Sequence, residues 1–212
     1  MAKQMKARRK LIAGLGVMAA AGTVGVRAAR AQASPAPFSP VLHDQDDWMS
    51  AMGGRHRVVL DVTSPEGLPD VLRFAGNLFN GHKSGYGVEE ADVAVLICLR
   101  HAATPYGYTD AMWSKYGKVL DAKAATPPSA NPYDTGDRMQ LSALAKRGVR
   151  FMVCGMATRG ISGRIAASQG GEAEAINKEL IASLIPNARI VPAGVVAVVH
   201  AQERGFAHVH VG

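Results

Sequence analysis

Residues 92–99 read Asp-Val-Ala-Val-Leu-Ile-Cys-Leu, one carboxylate followed by seven apolar side chains without a break. A strand with one wet face alternates apolar and polar residues. An unbroken run of this length therefore predicts a strand covered on both faces, as in a parallel sheet. Upstream, residues 57–62 (Arg-Val-Val-Leu-Asp-Val) are a β-branched run stopped by Thr63-Ser64-Pro65, and they predict strand one, which makes 92–99 strand two. Between them, Val71, Leu72, Ala75, Leu78 and Phe79 recur at helical spacing. They predict a helix over 69–80 that Gly81 ends.

Downstream the alternation continues. Residues 100–108 predict a loop, and Thr109-Asp110 a cap for a helix carrying Met112, Trp113 and Tyr116. Asp137 is placed to cap a helix that turns Met139, Leu141, Leu144 and Ala145 inward before Gly148. Strand three is expected at 149–154, helices at 156–168 and 172–184, strand four at 188–191, a helix at 193–203 and strand five at 206–211. Strands separated by helices imply an α/β fold: a five-stranded parallel sheet with helices on both faces, joined by right-handed crossovers. Five strands suit a flavodoxin-like order, 2-1-3-4-5, whose binding crevice lies at the carboxyl ends of strands one and three.

The folded domain is expected over 55–212. Residues 1–33 have a basic start (Lys3, Lys6, Arg8, Arg9, Lys10), a short apolar run and the triplet Ala31-Gln32-Ala33. These are the parts of an export signal peptide with a small-residue cleavage site. The run is too short and too rich in Gly and Ala for a stable membrane span. Arg8-Arg9 resembles the twin-arginine export motif, which implies a periplasmic destination. Residues 34–54, with three prolines and a closing Gly-Gly, are expected to be a linker with one helical turn around Trp48.

The chain's net charge is +7, but seven of its 24 Lys and Arg fall in residues 1–33, leaving 17 basic against 17 acidic side chains in the remainder. That balance argues against nucleic acid as a partner. Residues 121–137 combine three prolines with small polar residues, a length that marks either a lid or binding element or a disordered insertion.

Candidate site residues follow from the carboxyl-end rule: Thr63 and Ser64 after strand one, Arg100 and His101 after strand two, Cys154 to Arg159 after strand three, and Gly194 after strand four. Cys154 ends a strand immediately before a helix, and the partial positive charge at a helix amino end favours the thiolate, the nucleophilic form. It is the candidate nucleophile, with Thr63, His101, Met156 and Arg159 as candidate substrate contacts. A buried free cysteine used only for packing is the alternative.

Cys98, inside its apolar run, is expected to pack in the core. With strand one between strands two and three, its sulfur would lie roughly 9–10 Å from that of Cys154, and no disulfide is expected. His208 and His210 share one face of a strand, a spacing that suits a metal pair, but no third or fourth ligand is visible and no metal is expected. No dinucleotide, P-loop, nucleophile-elbow or zincin motif is present, and no cofactor is expected. Thr63-Ser64-Pro65-Glu66-Gly67 is a weak counterpart of a flavin phosphate loop whose glutamate would repel phosphate.

From about Arg55 to Val211 the chain resembles the DsrE/DsrF-like proteins, small α/β domains associated with sulfur transfer. The resemblance is carried by the first strand, its helix and Asn77, by Ala103-Thr104-Pro105, by Gly148 through Cys154, and most specifically by the tail. In the tail it runs from Ile185-Pro186-Asn187-Ala188 through Val191-Pro192-Ala193-Gly194-Val195 to Ala201-Gln202-Glu203-Arg204-Gly205. It implies a flavodoxin-like fold, assembly into trimers or hexamers, and a cysteine, here Cys154, that carries a persulfide between donor and acceptor proteins. Met156 and Ala157 depart from the family pattern, in which Asn and Thr are frequent. The expectation is therefore a periplasmic sulfur-carrier or thiol-handling protein. A non-catalytic oligomeric scaffold or small-ligand-binding protein, with no thiol chemistry, is the competing reading.

Overall fold

The computed structural model describes residues 38–134 and 140–212. The expected export signal, the first residues of the expected linker and the expected Asp137 cap lie outside the described residues. From Pro40 to Gly212 the chain forms one unit. Its elements in chain order are α1 (Asp47–Ser50), β1 (His56–Val62), α2 (Leu68–Tyr86), β2 (Val93–Leu99), α3 (Asp110–Leu120), α4 (Leu141–Lys146), β3 (Arg150–Cys154), α5 (Gly155–Gln169), α6 (Ala173–Ala182), β4 (Ala188–Val191), α7 (Gly194–Glu203) and β5 (Ala207–Val211). All five strands run parallel.

The strand order is β4-β3-β2-β1-β5, which corrects the expected 2-1-3-4-5. Every residue of β2 is buried, as a run apolar on both faces requires of an interior strand, whereas the expected order placed that strand at an edge. The true edges are β4, four residues long with Arg189 exposed, and β5, with His208 and His210 exposed. From β1 to β4 the chain steps steadily in one direction, so right-handed crossovers place α2 through α6 on one face. Their side chains enclose a core with Leu60, Ile97, Phe151 and Val153. The last crossover reverses direction to bring β5 beside β1, and the same handedness puts α7 on the opposite face, where Ala197, Val198 and Ala201 pack on Val59, Leu96, Cys98 and Met152.

Two local expectations are also corrected. The first long helix runs past Gly81 and ends at Gly87, because Gly87 is the glycine that adopts the left-handed conformation, φ 66°. Its N–H bonds to Lys83 O and that of Val88 to His82 O. Residues 40–54 are not a bare tether. Met49 and Met52 are buried in the α7-side core, Arg204 donates to His43 O at 2.9 Å, and His200 Nδ1 lies 2.7 Å from Asp46 Oδ2. The segment after α3 is pinned through residue 134. Buried Asn131 donates to Tyr106 O and Tyr108 O at 2.9 and 3.1 Å, and Tyr133 OH donates to Pro65 O at 3.2 Å.

Candidate thiol site at the carboxyl ends of the strands

Loops leaving β1, β2 and β3 all turn to the α2–α6 face, and the loop leaving β4 turns to the α7 face. The switch point thus lies between β3 and β4, not between strands one and three, and ligand crevices in open α/β sheets form at such points. Cys154 is the last residue of β3 and pairs in register with Val191, the last of β4. Two helices start here: α5 at Gly155, directly after the thiol, and α7 at Gly194.

The Gly194 N–H donates to Cys154 Sγ at 3.3 Å. The first peptide dipole of α7 is thus aimed at a sulfur that also stands at the N-cap of α5. Only a residue without a side chain fits at 194: a Cβ there would lie 2.7 Å from Arg100 Cβ and 3.2 Å from Cys98 Sγ. The start of α5 is fixed from beneath, because Thr158 Oγ1 donates to Cys154 O at 2.9 Å and Tyr108 OH donates to Thr158 Oγ1 at 2.8 Å. Burial pushes the Tyr108 phenol up, so this hydroxyl keeps its proton and the bond.

Beside the thiols lies a charged pair that the sequence reading did not assemble. Asp61, on β1 and 2 % exposed, accepts from Arg100 Nε at 2.7 Å and from a terminal Arg100 nitrogen at 2.8 Å. Burial alone would raise the Asp61 carboxyl. The Arg100 hydrogen bonds and charge, with smaller contributions from His208 and His210, outweigh it and hold the carboxyl below its ordinary value. Both histidines approach Asp61 Oδ2 at 3.4 Å from β5. Arg100 is raised in turn, chiefly by its hydrogen bonds to Asp61, with smaller contributions from the two cysteines. The guanidinium therefore stays charged close to both sulfurs. Among the described residues no group of three His, Cys, Asp or Glu could hold a metal. The Asp61 carboxylate behind the two histidines is already occupied by Arg100.

The revised strand order also moves Cys98. Strands β2 and β3 are adjacent, with Cys98 opposite Met152, so one strand spacing separates the two cysteine-bearing strands instead of two. Cys154 lies two residues beyond Met152 on the same face, and this diagonal puts the Cα atoms roughly 8 Å apart, longer than a disulfide spans. Both cysteines are free.

Of the expected substrate contacts, Met156 and Arg159 lie near the thiol on α5, both exposed. Arg159 and Gly155 line a cleft of about 550 Å³ that runs along β4. Thr63 is not brought to Cys154. It lies past the end of β1, two strands from β3, where its hydroxyl donates to Gly212 O at 2.6 Å and its carbonyl accepts from Ala102 and Ala103. His101 is exposed at φ 51°, at the head of the turn after β2. The residues that the sequence reading underweighted are Arg100, Asp61 and Gly194. A carboxylate inside an apolar strand was the available signal for Asp61, since a buried charge needs a partner.

No family model matches the chain, and no curated protein matches it. Among solved structures, a protein of unknown function from Methanobacterium thermoautotrophicum is similar, at 18 % identity and a TM-score of 0.42, over 73 % of this chain and 98 % of its own. Among the described residues no helix is long and apolar enough to cross a membrane.

Proposed function

We propose that the protein is a sulfur-carrier or thiol-handling protein in which Cys154 accepts sulfane sulfur as a persulfide. The observation that carries this reading is the Gly194 N–H directed at Cys154 Sγ at 3.3 Å, on a sulfur already standing at the head of α5. Two helix amino ends and the nearby Arg100 guanidinium all favour negative charge on that atom. The reaction is thiolate attack by Cys154 Sγ on a sulfane sulfur of a polysulfide. A new S–S bond forms to Cys154, the donor's S–S bond breaks, and the shortened polysulfide leaves with the electron pair. An acceptor thiolate then attacks the outer sulfur, and Cys154 departs as the thiolate it was. The resemblance to DsrE/DsrF-like proteins points the same way. An exported, periplasmic protein reached through the twin-arginine route, and a homo-oligomer of three or six subunits, complete the proposal. Exposed Val195, Val196 and Val199 on α7 are suited to contact between copies.

Cys154 is only 8 % exposed, and this single observation favours the competing reading, a non-catalytic ligand-binding or scaffold protein. Intact mass after incubation with polysulfide separates the two. The carrier gains the mass of sulfur, and Cys154→Ser does not. Equal uptake by both proteins, or none by either, sinks the carrier.

A further inference from the structure

We infer that the edge of β4, unpaired among the described residues, is a docking groove for an extended, acidic polypeptide segment of a partner protein. Two clefts lie along this edge, and a third opens at the amino ends of β2 and β3. One of about 550 Å³ is lined by Trp48, Gly155, Arg159 and Arg189, the next, about 330 Å³, by Trp48, Arg150 and Arg189, and a third, about 440 Å³, by Arg150 and Lys146. The first two share Trp48 and Arg189, and the second and third share Gly148 and Arg150, so the groove extends from the amino end of β3 to the residue that follows Cys154.

Its charge is one-sided. The lining carboxylates are already engaged, Asp46 by His200 and Glu90 by Arg147. Among the described residues, Lys146, Arg150, Arg159 and Arg189 have no carboxylate partner. Arg189 rests against the Trp48 ring, 5.2 Å from its centre, and Arg150 is half-buried. A half-buried cation without a counter-charge carries a desolvation cost that an incoming anion relieves.

The spacing selects the shape of that anion. Arg150 opens β3 and Arg159 lies beyond its end, so the cations are spread over roughly 16 Å, the length of a five-residue strand. No single small anion bridges them. An extended chain with carboxylates on alternate residues meets them in turn.

The edge itself selects a polypeptide. Phe151 N–H donates to Asn187 O at 3.1 Å, and strand alternation therefore turns Asn187, Arg189 and Val191 toward β3, with Ala188 and Ile190 facing outward. The Ala188 N–H is taken by Ile185 O at 3.1 Å, which among the described residues leaves the Ile190 N–H and the outward carbonyls to pair with an added strand. A nucleic acid offers charge but no such ladder. Calling the bound segment part of a sulfur donor or acceptor rests on the proposed function; the groove's binding of an acidic strand does not.

The test uses the full chain, the peptide Glu-Val-Glu-Val-Glu-Val, its Lys-Val counterpart and a short oligothymidylate, with affinity followed by peptide anisotropy and amide exchange by NMR. The acidic peptide binds saturably and slows exchange of the Ile190 amide. Arg150→Glu with Arg189→Glu weakens it on the order of tenfold or more and favours the Lys-Val peptide instead. The exposed Arg189→Glu alone serves if the double variant fails to fold. Cys154→Ser binds as wild type does. Absence of saturable binding, an unchanged Ile190 exchange rate at saturation, equal affinity for the charge-reversed protein, or tighter binding of the oligothymidylate each overturns the proposal. Peptide binding without sulfur uptake would defeat the proposed function and leave the groove standing; uptake without peptide binding would do the reverse.

Discussion

Cys98 and Cys154 occupy the same face of adjacent strands and both touch Gly194, yet they meet opposite ends of that residue. Cys98 Sγ donates toward Gly194 O at 3.6 Å, whereas Cys154 Sγ accepts from Gly194 N–H at 3.3 Å. The first contact requires a protonated thiol, and the second strengthens as the sulfur gains negative charge. Cys98 has no exposed surface, and burial, aided by the Asp61 carboxylate, pushes its thiol far up. Cys154 retains 8 % exposure at the mouth of the sheet. Two residues of one type, in contact with one glycine, are thus set apart by burial and by which backbone group of Gly194 each faces.

The contrast breaks most readily by selective labelling. In folded protein, iodoacetamide should modify Cys154 faster than Cys98 by on the order of a hundredfold or more, and Cys154→Ser should abolish both fast labelling and sulfur uptake. Peptide mapping that finds both thiols labelled at one rate would erase the distinction.

The next largest effect is on stability. Asp61→Asn leaves Arg100 without its counter-charge in a largely buried position, and urea denaturation should show a loss of about 3 kcal/mol. The sign with pH follows from the depressed Asp61 carboxyl. Its contribution is fully present above the unfolded carboxylate value, about 3.9, and is lost as pH falls through the lower folded value. The acid side of the stability curve should therefore be flatter in Asp61→Asn than in wild type; parallel curves would remove Asp61 from this account.

Gly194→Ala sharpens the comparison, since the added Cβ collides with Arg100 and Cys98 and must shift the start of α7. A loss of about 1–3 kcal/mol should accompany slower labelling of Cys154, and unchanged labelling would show that the Gly194 N–H does not govern that sulfur. Smallest is Cys98→Ala, which removes a weak thiol donor from a packed position. It should cost about 1 kcal/mol and leave labelling of Cys154 near the wild-type rate.

The positions of all five strands were legible in the chain, because each is a short β-branched or apolar run closed by Gly, Pro or a helix start. Their order was not, although β2 held a usable clue: a strand apolar on both faces belongs in the interior. The thiol was legible from the strand-to-helix junction Cys154-Gly155. Its partners were not, because Arg100 follows Asp61 by 39 residues and Gly194 follows Cys154 by 40, and no local pattern records contacts at those separations.

The sequence by itself determined which segments are strands and helices, that the strands run parallel, and that Cys154 heads a helix, since these depend on neighbours within a few residues. Only the tertiary structure decided that the final crossover reverses direction and crosses the other face. That reversal brings the start of α7 onto the Cys154 sulfur, while the adjacency of β1, β2 and β3 sets Asp61 and Arg100 beside the cysteine-bearing strands. The reason is physical: crossover handedness fixes the face only once the direction of travel along the sheet is set, and that direction follows from packing every strand at once.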